Sequence, residues 1–199
     1  MTARPTTIRL FVERCPQSVS FYESGAPIDA SVFAVGTAAH DVLDTIARFG
    51  LDPAAIDHTV AVLISEGRAG IDAGPPLPPD PVFAGRDLAV AYAEANPIPT
   101  GFPELGFAFA DDWTPRPYEA PGSRFRIRLD LVFVVESEDE DTPGTGIVVR
   151  DYKSSWAADA TILESIQMRA QAVAVALNWR AVGLESPPDF IRREVVNLR

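Results

Sequence analysis

RFRIRLDLVFVVESEDEDTPGTGIVVRDYK, Arg124 to Lys153, reads as two β-strands joined by an acidic turn. Along the first strand Phe125, Ile127, Leu129, Leu131 and Phe133 alternate with Arg124, Arg126, Arg128 and Asp130, a period of two with one polar face. On the second strand Asp151 and Lys153 lie two residues apart and therefore share a face. A hairpin folded about the midpoint of positions 140 and 141 sets Asp130 opposite Asp151, with Cβ atoms roughly 5 Å apart. Two carboxylates that close repel unless a cation lies between them, and hard oxygen donors suit Mg²⁺. With a lysine beside them, these are the parts of metal-assisted phosphodiester hydrolysis. The same register sets Lys153 against Arg128, so either the register slips or a phosphate lies between the two cations.

At 199 residues, with 47% hydrophobic and 23% charged content, the chain has the composition of an ordinary globular domain. A chain of this length buries a core without covalent staples. The single cysteine, Cys15, excludes an internal disulfide and any four-cysteine zinc or iron–sulfur site within the chain. No basic segment followed by an apolar run opens the sequence, and no apolar stretch approaches ~20 residues. The expected setting is cytoplasmic, without a membrane partner. The net charge of -11 opposes nucleic-acid binding, which draws on lysine and arginine. Part of that charge is local, because five of the six residues Glu136 to Asp141 are acidic and fall at the hairpin tip.

Outside the hairpin, the N-terminal segment is expected to be helical or extended around Cys15-Pro16. A helix is expected from about Thr37 to Phe49, with Val42, Leu43, Ile46 and Phe49 on one face and Gly50 as its stop. Asp52-Pro53 is an N-cap and first-turn pair for a second helix, with Ile56, Val60, Leu63 and Ile64 as its apolar stripe and an end near Gly67. Five prolines from Pro75 to Pro81 read as a stiff connector. A third helix follows over roughly Gly85 to Ala95, then a strand from Glu104 to Ala110 and a loop. After the hairpin come a helix from about Asp159 to Trp179 and a last strand at REVVNL. This order implies an α/β domain, a mixed sheet covered by helices, with a helical insertion at about 50–98.

Four short patterns fall in order along these elements. VGTAAH puts Gly36 four residues before His40; RLDLV puts Asp130 within a strand; DYKSS supplies Asp151-x-Lys153; QMRAQ puts Gln167 and Gln171 one turn apart on the last long helix. Together they resemble the RecB-like branch of the PD-(D/E)XK nuclease superfamily, which shows a G-x-x-x-H helix, a strand aspartate, a D/E-x-K strand and a Q-x-x-x-Y helix in this order. The likeness spans roughly residues 10 to 197 and implies a restriction-endonuclease-like core in one domain. Cys15-Pro16 matches the C-P of a short opening helix in that branch, as in the CRISPR-associated RecB-like exonucleases. The three further cysteines that hold an iron–sulfur cluster in some members are missing, so no cluster is expected. Gln171 stands where the last motif has tyrosine.

The resemblance implies a role for each residue. Asp130 and Asp151 become metal ligands, although a lone strand aspartate is as readily a surface group. The backbone carbonyl of Tyr152 becomes a further ligand, and Lys153 orients or deprotonates the attacking water; its bland alternative is a strand-end ion pair. His40 joins the metal shell and tilts the site toward Mn²⁺ beside Mg²⁺. Gln167 hydrogen-bonds near the site or to nucleic acid. Glu104, where family members often carry glutamate, binds metal or orients a ligand. Arg126 and Arg128 share Asp130's face and either meet phosphates or pair with carboxylates. Trp113, Tyr118 and Trp156 stack bases or cap a core, and His58, outside every motif, belongs to the surface.

The function implied is a divalent-metal-dependent DNA nuclease, an exonuclease acting on single strands or duplex ends, with a protein partner as one source of positive surface. The alternative is a catalytically silent RecB-like subunit that binds DNA ends or a partner. An acidic DNA mimic fits poorly, because mimicry needs carboxylates spaced as phosphates along a face and the acidic run here is one loop.

Overall fold

In the computed structural model the elements follow in the order α1 (Ala30–Phe49), α2 (Pro53–Ser65), α3 (Pro79–Ala95), β1 (Phe102–Phe109), β2 (Pro115–Arg116), β3 (Phe125–Ser137), β4 (Gly144–Lys153), α4 (Ile166–Leu177), a 3-10 turn (Trp179–Val182) and β5 (Phe190–Asn197). The structure describes residues 30–68, 74–139, 141, 143–153 and 166–198. The expectations for Cys15-Pro16, for Trp156 and for the first part of the last helix lie outside the described residues. The chain is α/β, with a five-stranded mixed sheet flanked by helices and the strand order β2-β1-β3-β4-β5.

The hairpin holds its expected register. β3 and β4 are antiparallel from Ser137↔Gly144 to Leu131↔Arg150, every pair centred on the expected midpoint. The recorded ladder stops there, one pair short of Asp130 and Asp151. The confrontation of Lys153 with Arg128 is therefore not part of it. At the other end Asp189 fastens the hairpin: its backbone N–H donates to the Thr145 carbonyl, and its carboxylate accepts from the Thr145 N–H, each at 2.8 Å. β5 runs parallel to β4, because Asp189 bonds Thr145 near one end and Leu198 N–H donates to Lys153 O (2.9 Å) at the other. A parallel neighbour needs a crossover, and α4 with its 3-10 turn supplies it.

By contact density the chain divides into two units, with a boundary before Glu104. In the unit holding Glu104–Asp151, the odd-numbered residues of β3 from Phe125 to Phe133 are buried as the alternation requires. Phe125, Ile127 and Leu129 join Phe107 and Phe109 of β1, Ile147 and Val149 of β4, and Ala174 and Val175 of α4 in one core. Residues of this kind each contribute about 1.5–3 kcal/mol by leaving water. Trp113 lies at the rim against Phe109 and Phe125, with ring centroids 6.0 and 5.8 Å away.

The other unit, which holds α1, α2 and α3, is built on small residues. Ala34, Ala38, Ala39 and Val42 of α1 are buried, as are Val82, Ala89 and Ala93 of α3. Gly85 sits so close to α1 that an added Cβ would lie 2.4 Å from the Val35 carbonyl oxygen and 2.7 Å from the Ala38 Cβ. Asp52 caps α2 as expected, its carboxylate accepting from Ala54 N–H at 3.1 Å. Ile56, Val60 and Leu63 are buried in this unit, and His58 is exposed.

Several boundaries move. α1 extends back to Ala30, and Phe49 is 65% exposed instead of joining the apolar face. α3 starts at Pro79, inside the stretch expected to be connector. Prolines in a first turn remove only N–H groups that have no helical partner, so Pro79 and Pro81 are compatible with helix. α4 ends at Leu177, where Asn178 donates its side-chain amide to Ala174 O (2.8 Å). Trp179 therefore opens the 3-10 turn and is not the end of the helix. No helix among the described residues is long and apolar enough to cross a membrane.

Candidate metal centre

Three strands and a helix of the Glu104–Asp151 unit bring polar groups to one region. β3 presents Asp130, half-buried, immediately beyond the last recorded pair with β4. β4 presents Asp151, only 1% exposed, beside the buried Tyr152. From the first turn of α4, Gln167 donates Nε2–H to Asp151 Oδ1 at 3.3 Å. A buried carboxylate is costly without such donors. Gln167, expected to bond near the site or to nucleic acid, here bonds the Asp151 carboxylate.

Glu104 arrives from β1. Its carboxylate and that of Asp130 place oxygens within 4.8 Å of one another. Glu104 has φ of 51°, in the left-handed region that non-glycine residues rarely occupy. Such a conformation costs of order 1–3 kcal/mol and persists where the surroundings fix the side chain. Here Arg128 takes part: its Nη1 lies 3.1 Å from Glu104 Oε2.

Arg128 and Arg126, read alike in the sequence, differ in the fold. Arg126 donates to the Tyr118 carbonyl (2.9 Å) and the Ala120 carbonyl (2.8 Å), fastening the loop before β3. Arg128 pairs with Glu104 and lies over the Tyr118 ring, 5.4 Å from its centroid. Tyr118 can approach the sheet because position 106 is glycine; a Cβ there would lie 2.6 Å from the ring. Gln171, where the motif has tyrosine, is buried and donates Nε2–H to the Arg128 carbonyl at 3.4 Å. It steadies β3 two residues from Asp130. The Glu104–Arg128 pair left no local signal, since nothing in either segment names its partner across the sheet.

The remaining expected residues have these places. Lys153 ends β4, half-buried, two residues beyond Asp151 on the same strand. The Tyr152 ring is buried and meets Tyr92 edge-on, with centroids 5.8 Å apart. His40 lies on α1, half-buried, one turn after Gly36. Its neighbour Asp41 takes a two-pronged ion pair from Arg68, and Thr45 shares a hydroxyl–hydroxyl bond with Thr59 (2.8 Å). These contacts fix the middle of α1 within its own unit.

No family model matches this chain, and neither a curated protein nor a solved structure matches it.

Proposed function

We propose that this chain is a divalent-metal-dependent deoxyribonuclease with a RecB-like PD-(D/E)XK core, cleaving phosphodiester bonds of DNA. The observation that carries the reading is the approach of the Glu104 and Asp130 carboxylates to within 4.8 Å, in a sheet where Asp151-x-Lys153 follows on the adjacent strand. It is supported by the order of the motif-bearing elements: Gly36 and His40 on a helix, Asp130 on a strand, Asp151 and Lys153 on a strand, Gln167 and Gln171 on a helix.

The donor chemistry fits Mg²⁺ or Mn²⁺. Glu104 and Asp130 offer one hard oxygen each, and the resemblance adds the imidazole of His40 as a borderline nitrogen donor. Asp151 and the Tyr152 carbonyl complete the proposed set. When bound, the metal lowers the pKa of water and stabilises the charge that builds on the phosphate. Lys153 orients the attacking water, helps take up its proton and offsets the same charge. Gln167 keeps Asp151 aimed through their hydrogen bond. The process served is DNA repair, recombination, phage biology or defence.

End-labelled single-stranded and duplex DNA incubated in Mg²⁺, Mn²⁺ or EDTA, beside a Lys153→Ala variant, tests the proposal. Cleavage that needs the metal and disappears in the variant is the expected result. The net charge of -11 favours a second reading, a silent subunit that binds DNA ends through a partner. Binding of ends without cleavage in either metal would select it.

A further inference from the structure

The guanidinium of Arg128 pairs with Glu104, one of the two carboxylates that approach each other. Glu104 and Asp130 hold oxygens within 4.8 Å of one another, and two carboxylates so placed require a nearby positive charge. Arg128 supplies such a charge to Glu104, its Nη1 3.1 Å from Oε2, and it is set against Tyr118. Its backbone is anchored by Gln171, whereas its side chain is 30% exposed and long enough to turn outward. Arg128 and Asp130 point to the same face of β3, about 7 Å apart along the strand. That is close to the separation of successive phosphates along an extended single strand.

We propose that Arg128 couples metal binding to substrate binding: Glu104 exchanges its bond to Arg128 for the metal, and the released guanidinium takes a backbone phosphate beside the scissile one. The proposal rests on the nuclease reading above. A metal entering the pair competes with Arg128 for Glu104. A phosphate offers the guanidinium a second anion, to which its planar fork is suited. Each ligand therefore favours the other by the same factor. The exchange would let a strongly acidic chain hold DNA where the metal is in place.

The test uses the whole chain with Arg128→Gln and Arg128→Lys. Isothermal titration with Mn²⁺ alone reads the competition. Anisotropy of a labelled oligothymidylate with Mn²⁺ present, in a Lys153→Ala background so that the strand stays intact, reads the phosphate contact. Arg128→Gln is expected to bind Mn²⁺ about 5-fold or more tightly. It is also expected to bind the oligonucleotide more weakly, with a salt slope smaller by roughly 0.7. Arg128→Lys should fall between the two on both measures, and it decides the question if the glutamine variant unfolds on melting. Mn²⁺ affinity unchanged or weakened in the variant overturns the coupling, as does an unaltered salt slope. Failure of the unsubstituted protein to bind Mn²⁺ removes the nuclease reading itself, a different result from either.

Discussion

Gln167, in the first turn of the crossover helix, donates its side-chain amide to the buried carboxylate of Asp151 on the neighbouring strand (Nε2–Oδ1 3.3 Å). The bond ties the element that makes β5 parallel to β4 to the most deeply buried charge of the candidate site. The crossover thus also aims a candidate ligand.

Gln167→Ala should lower cleavage by about tenfold, the effect of ~1.4 kcal/mol on a barrier. A hydrogen bond to a charged group contributes roughly 1.5–3 kcal/mol, and the length of this one puts it toward the lower end. Single-turnover rates at saturating DNA, with melting curves for both proteins, check it. A rate equal to that of the parent would remove Gln167 from the site.

Asp130→Asn and Asp151→Asn should each abolish metal-dependent cleavage while differing in stability. Asp130 is half-buried and accepts the change with little loss. Asp151 is 1% exposed, so a new amide must find partners inside the protein, at a cost of about 1–3 kcal/mol. Mn²⁺ titration and thermal melts of the pair measure both halves. Undiminished metal binding in both variants would contradict the assignment.

The two histidines should separate cleanly. His40→Ala is expected to weaken Mn²⁺ binding at least tenfold, about 1.4 kcal/mol, whereas exposed His58→Ala should leave it unchanged. A surface substitution of the latter kind also shifts stability by no more than about 0.5 kcal/mol. Equal effects of the two would sink the role given to His40.

Gly85→Val tests the helical unit independently of any chemistry. The added Cβ would lie 2.4 Å from the Val35 carbonyl, a backbone atom that cannot rotate away. Overpacking of this kind costs typically 1–3 kcal/mol, or roughly 2–4 °C of melting temperature per kcal/mol in a chain of this size. An unchanged melting curve would show that α1 and α3 tolerate a wider spacing.

The hairpin was legible in the residues of its two strands. Alternation along β3 decides which residues enter the core, and a slip of one position would expose Phe125, Ile127 and Leu129 together. Asp130 therefore had to fall near Asp151, and it lies at the first step beyond the recorded ladder. The α2 cap was legible for a similar reason, since Asp52 acts on a backbone amide two residues away. The start of α3 was not, because proline signals a break inside a helix yet is neutral in its first turn.

The company each charged group keeps is set by long-range packing. Arg126 and Arg128 share one face and one chemistry in the sequence, yet one fastens a loop through the carbonyls of Tyr118 and Ala120 and the other pairs with Glu104. Glu104 and Asp130 are separated by a whole loop and strand, and the sheet order, with β1 beside β3, brings their carboxylates together. Local patterns fix direction and burial, because they act over one or two residues. Partnership across a sheet depends on which strands the whole core forces to lie side by side.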